Sequence, residues 1–178
     1  VTGVQTCALP ILDPKDAVRF LEDKGLAVSW NWAEMLDEAH ARAFTVAKAA
    51  RLDVLQDIRS GVLDALKNGK TFTQFRKELE PLLKEKGWWG KQIVVDETGA
   101  AQVVRLGSPR RLKTIYGTNI QSAYMAGRMK TQMATIDAVP YMRYVAVMDG
   151  RTRPSHSALN GRVYRKDDPI WSSIYPPN

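Results

Sequence analysis

Cysteine is all but missing from this chain. The single one, Cys7, lies in the segment 1–11, and residues 12–178 contain none. That excludes a disulfide framework or a cysteine-based metal site built within residues 12–178. Histidine is nearly as scarce: His40 and His156 are the only two, too few to fill the three or four ligand positions of a zinc site without carboxylates. No apolar run is long enough to cross a bilayer, so no membrane partner is expected. Acidic residues run short in one half alone. Residues 12–100 carry 14 Lys+Arg against 15 Asp+Glu, a net of −1, whereas residues 101–178 carry 12 against 4, a net of +8. Excess positive charge confined to one half points to a polyanion as partner of that half. At 44% apolar and 25% charged the chain is otherwise ordinary globular material with enough apolar residues for a core.

Segment 1–11, Val-Thr-Gly-Val-Gln-Thr-Cys-Ala-Leu-Pro-Ile, reads as the translation of a sequencing-adapter oligonucleotide and is set apart as an artefact. It lacks the basic start and the longer apolar run of a signal peptide. Residues 12–90 read as a helical region. Asp13-Pro14 opens a helix that runs to Lys24 and stops at Gly25. Asn31 with Glu34 forms a capping box, and Met35, Leu36, Ala39, Ala43, Val46, Ala47 and Ala50 keep a helical period that Leu55 to Leu66 extend. Thr71 with Gln74 is a second capping box, and Pro81 should kink or break the helix it opens. Gly87-Trp88-Trp89-Gly90 ends this part. Residues 91–178 then read as an α+β domain. Ile93 to Val95 and Gln102 to Val104 flank a turn at Asp96-Glu97-Thr98-Gly99, and Ser108-Pro109 opens a long helix to about Ile136. Tyr141 to Met148 is the most strand-like segment, with residues 162–165 to pair with it. The predicted fold class is α+β: a helical N-terminal part, then a small antiparallel sheet packed against one long helix.

Two stretches carry candidate chemistry. Arg105, Arg110, Arg111 and Lys113 crowd the start of the long helix. Cations there oppose the helix dipole at about 0.3–1 kcal/mol each, while free N–H groups at the same end favour phosphate. Anion binding explains the arrangement; the bland alternative is that the side chains splay into water. The second stretch is Asp149-Gly-Arg151-Thr-Arg153-Pro-Ser-His156. Asp149 is expected to pair with Arg151 or Arg153 and fix the turn. A catalytic reading would make Asp149 and His156 an acid–base or metal pair, but one carboxylate and one imidazole fall short of the roles a reaction needs. Anchoring is preferred. Trp88, Trp89, Trp171 and Tyr175 read as core plugs rather than base-stacking platforms.

That second stretch, with Leu159-Asn-Gly161, Pro169-Ile-Trp171 and Pro176-Pro177-Asn178 following in order, resembles the phage Mu F-like head morphogenesis proteins, minor head proteins of tailed phages. The resemblance runs from about Trp32 to Asn178. It implies a structural capsid component with no cofactor and no catalytic residues, associated with the portal and the procapsid interior. Its place would be the virion head, and the host cytoplasm during assembly. It implies a structural motif of Thr118, Asn119, Tyr124, Asp149, His156, Gly161 and Trp171, with Thr118, Asn119, Gln121 and Tyr124 as a polar network under the sheet. It also implies that the chain is a fragment stopping short of a Cys-containing tail, which with His156 would complete a zinc-type site. The expected partners are portal and other capsid proteins, together with double-stranded DNA held without sequence preference by Arg105, Arg110, Arg111, Lys113, Arg151 and Arg153. The competing expectation is a metal-dependent enzyme, or the head module of a toxin fusion, centred on Asp149 and His156.

Overall fold

The computed structural model describes residues 14–27, 43–49, 51–95 and 101–175. The Asp13 cap, the Asn31/Glu34 box with Met35 to Ala39, His40, the turn at Asp96 to Gly99, segment 1–11 and Pro176 to Asn178 lie outside the described residues. Among the described residues are six helices and six strands, and the fold is α+β. Helix α1 (Pro14–Glu22) leads into β1 (Gly25–Leu26), which pairs in parallel with β2 (Ala43–Phe44). Helices α2 (Leu52–Asn68) and α3 (Phe72–Glu85) follow, then the antiparallel strands β3 (Lys91–Val95) and β4 (Ala101–Arg105). The long helix α4 (Pro109–Met133) comes next. It leads to a C-terminal unit of β5 (Tyr141–Arg143), α5 (Pro154–Leu159), β6 (Val163–Arg165) and α6 (Trp171–Ile174), with β5 and β6 antiparallel.

Apolar spacing on α2 places Val54, Leu55, Ile58, Val62, Ala65 and Leu66 on one buried face. Phe75, Leu79 and Leu83 of α3 close over it, and Leu112, Ile115 and Ala123 of α4 complete the core. The Tyr116 ring lies tilted against Phe75 with centroids 5.2 Å apart, and its hydroxyl donates to the Lys70 carbonyl at 2.7 Å. Helix α1 lies close on α4 because position 127 is glycine: a Cβ there would sit 3.3 Å from the Ala17 nitrogen. An ion pair from Lys130 to Asp16 at 2.6 Å joins the same two helices.

The Thr71 capping box forms with both arms, Gln74 Oε1 accepting from the Thr71 N–H at 2.8 Å. Pro81 lies within α3 without ending it. It stands on the exposed face, where water can serve the carbonyl left without its helical donor. The helical period expected through Ala43, Val46 and Ala47 is not a helix. Ala43 belongs to β2, and Lys48 has φ 61°, a left-handed turn that no helix continues through. Of the buried side chains there, Phe44 and Val46 alternate toward the core and Ala49 follows three residues on, a spacing a helical template mimics. The antiparallel strands divide into two separate two-stranded ladders, one near each end of α4. Only the first three residues of the Tyr141 to Met148 segment form a strand, since Val145 and Val147 find no partner strand and stand 71% and 86% exposed.

Candidate functional site

The C-terminal unit is built around two anchors. Trp171 is 5% exposed, donates Nε1–H to the Arg165 carbonyl at 2.6 Å, and meets Tyr164 and Tyr175 edge-on. Lys166 is the second, and the sequence reading missed it. It is 4% exposed, and its ammonium donates to the Gln132 carbonyl at 2.8 Å and to Thr135 Oγ1 at 2.9 Å. A cation on a carbonyl in the last turn of α4 stands at the negative end of the helix dipole, beside the Thr135 hydroxyl that donates to the same carbonyl at 3.0 Å. Tyr175 adds a bond to Gln132 Oε1 at 3.0 Å, and burial raises its phenol pKa above the ordinary value. The unit is thereby fastened to the C-terminal end of α4.

Beyond β5 the chain forms an open hollow of about 400 Å³, lined by Tyr144, Val145, Ala146, Val147, Asp149, Arg151, Thr152, Arg153 and His156. Gly161, at φ 81°, turns the return strand so that its N–H meets the Tyr144 carbonyl at 2.8 Å. Asn160 Oδ1 accepts from the Ala146 N–H at 3.0 Å. His156, carried on α5, has its Nδ1 2.5 Å from the Tyr144 hydroxyl, the rings stacked 6.2 Å apart. Asp149 does not pair with either arginine side chain. Its Oδ1 accepts from the Arg151 N–H at 2.9 Å and from Thr152 Oγ1 at 3.2 Å, while Thr152 Oγ1 accepts from the Asp149 N–H at 3.1 Å. The turn is closed by the Asp149 and Thr152 side chains, bonded to its backbone and to each other. Arg151 and Arg153 are therefore left exposed, with no ion pair among the described residues.

At the other end of α4 the expected cation cluster separates. Arg111 is not directed outward: its guanidinium stacks over the Trp88 ring at 5.0 Å and donates to the carbonyls of Leu106 (2.7 Å) and Ala47. Partial burial lowers its pKa below the ordinary arginine value. It locks the β4–α4 corner against the core. Arg105, Arg110 and Lys113 are exposed, with no side-chain ion pair among the described residues. The helix mouth offers less than expected. Position 109 is proline and has no N–H, Ser108 Oγ takes the Arg111 N–H at 3.2 Å, and the Leu112 N–H is spent on the Ser108 carbonyl at 2.9 Å. Only the Arg110 N–H of that first turn has no partner among the described residues. The two exposed cation sets are not brought together. One stands at the start of α4 and the other on a loop reached from its end, and 25 residues of helix measure roughly 37 Å.

The polar network expected under the sheet does not form. Thr118, Gln121 and Tyr124 are exposed on α4, and Asn119 Nδ2 donates back to the Ile115 carbonyl of its own helix at 2.8 Å. With no sheet lying over this face of α4, nothing desolvates them. Trp88 and Trp171 are buried as core plugs. Asp149 and His156 share the hollow, and among the described residues no three His, Cys, Asp or Glu side chains gather closely enough to hold a metal ion.

The class this defines is a helical body carrying a cationic hairpin on one long helix. Residues 56–178 match the family described as Phage Mu protein F like protein, and the chain belongs to that family. It is 54% identical over 167 residues to capsid assembly protein F of Escherichia phage Mu, covering 94% of this chain and 38% of that protein. It is 56% identical over 151 residues to the Mu-like prophage FluMu F protein of Haemophilus influenzae, covering 85% of this chain and 36% of that one. The chain thus spans little more than a third of the length of these relatives. No solved structure matches it.

Proposed function

We propose that this chain is part of a phage head morphogenesis protein, a minor head component of a Mu-like phage or prophage, working without catalysis. The observation that carries this reading is 54% identity across nearly the whole chain to a protein named for capsid assembly. The experiment is genetic. A Mu-like phage lacking its F protein is supplied with a chimera in which this segment replaces the matching part, and filled heads are counted. Restored heads support the reading; a stable chimera that yields none contradicts it.

The finer part of the proposal is contact with duplex DNA inside the head, near the portal, during packaging or ejection. It is supported by Arg105, Arg110, Lys113, Arg151 and Arg153, all exposed and without ion pairs among the described residues. Such contact is sequence-tolerant and weakens steeply with salt through counterion release. Two cation sets at the ends of α4 suit an extended polyanion better than a small anion.

The second reading, a metal-dependent hydrolase or toxin-fusion module, is favoured by one observation: Asp149 and His156 line the same hollow. Turnover of nucleic acid with added zinc or magnesium, lost in an Asp149→Ala, His156→Ala double variant, would favour it. Equal background in both proteins supports the non-catalytic reading.

A further inference from the structure

The two edges of the C-terminal ladder are unlike. Bonds from the Tyr144 N–H to the Arg162 carbonyl and from the Lys166 N–H to the Pro140 carbonyl, both 2.8 Å, join even-numbered residues of β5 and its flanks to β6. In an antiparallel pair the intervening residues turn their N–H and C=O groups away from the partner. On β6 the outward Arg165 carbonyl is occupied, accepting from Trp171 Nε1 at 2.6 Å and from the Asp168 N–H at 3.1 Å, so that edge is open only over the short stretch from Val163 to the Arg165 N–H. On the β5 side, the N–H groups of Tyr141, Arg143 and Val145 have no hydrogen bond among the described residues. The side chains along that edge are exposed and largely apolar: Tyr141 55%, Val145 71% and Val147 86%. An open apolar edge is a template for pairing with another chain.

We propose that the outer edge of β5, from Tyr141 to Val147, accepts an extended acidic segment of a partner protein as a third strand. This goes beyond the head-assembly reading and needs none of the DNA contacts. Charge selects the occupant. Arg143 sits mid-edge with no ion pair among the described residues, and the edge runs into the hollow bordered by Arg151 and Arg153. A second copy of this chain paired edge to edge would set guanidinium groups against guanidinium groups, which is unfavourable on adjacent strands. A partner strand with a carboxylate opposite Arg143 and apolar side chains at the next positions of the same face, every second residue along, matches both Arg143 and the exposed valines.

The test is amide hydrogen exchange on the whole chain with a capped nine-residue peptide that carries glutamate and valine in turn at every second position, with threonine between them. In the free protein the amides of Arg143 and Val145 exchange fast while those of Tyr144 and Lys166 are protected. Saturating peptide slows Arg143, Val145 and Val147, and a peptide with lysine in place of glutamate does not. Val145→Pro removes one outward N–H and no ladder bond, a substitution edge strands tolerate, and weakens the peptide about tenfold. Arg143→Glu weakens it through charge alone, so the idea survives a folding failure of the proline variant. Edge amides already protected in the free protein, edge amides unchanged at saturation, or full affinity in both variants would overturn the proposal. Duplex DNA is the separate arm. Its binding should persist in Val145→Pro, and a duplex that protects the same amides would show a polyanion surface instead of a strand acceptor.

Discussion

Arg110 and Arg111 are neighbours in sequence and opposites in the fold. Arg111 stacks on Trp88 and ties the Leu106 and Ala47 carbonyls, so Arg111→Ala should cost about 2 kcal/mol in denaturant unfolding. The salt dependence of DNA binding should not move in that variant. Arg110→Ala should do the reverse, changing stability by less than about 0.5 kcal/mol and reducing the salt slope by about one. The sequence could not separate them, because the groups that draw Arg111 inward include a carbonyl 64 residues away. Lys166 is a further residue hidden from sequence reasoning: it lies among exposed charged neighbours, and only the end of α4 gives it partners. Lys166→Met removes the charged donor shared by the Gln132 carbonyl and the Thr135 hydroxyl, leaving that hydroxyl oxygen without a donor, and should lower stability by about 1–3 kcal/mol. Unfolding followed by tryptophan fluorescence reads this, with a Trp171→Phe background to isolate the Trp171 signal; an unchanged midpoint would contradict the anchoring role.

Elements with local signals were legible, and elements set by distant partners were not. The Thr71–Gln74 box and the Ser108-Pro109 start both form where the residues place them, because caps are decided within a few residues. Thr71→Ala should cost about 1 kcal/mol, measured by thermal unfolding. Ala43 to Ala49 misled because small apolar residues fit both periods, and pairing of β2 with β1 decided the outcome. The Tyr141 to Met148 run stops being a strand where its partner ends. Between α2 and α3, Lys70 bridges Asp64 and Glu78. The Lys70 ammonium, with help from Asn68, holds the Asp64 pKa below the ordinary carboxylate value. A depressed carboxylate contributes stability that is full above its unfolded pKa and is lost as pH falls through the folded one. The stability gap between the native chain and Asp64→Asn should therefore close below about pH 4. A gap that stays constant through that window would remove the ion pair from the account.

For the whole molecule, the charge division by halves was visible in the sequence, but its spatial consequence was not. A single grip made of a helix mouth and a turn would need the two cation sets side by side. Instead α4 acts as a spacer of roughly 37 Å, and the helix mouth is mostly closed by Pro109 and Ser108. The hairpin fastened by Lys166 and Trp171 carries its arginines outward because Asp149 is spent within the turn. Motif order was enough to indicate the family; which motif residues face solvent had to come from the fold. The most direct measurement is the equilibrium constant for a random-sequence duplex across a salt series. It compares the native chain with a variant carrying alanine at Arg105, Arg110, Lys113, Arg151 and Arg153. The account predicts linear log–log plots, the native slope steeper by about one per cation removed, near five in all. Equal slopes, or no retention of the native chain at low salt, would contradict it.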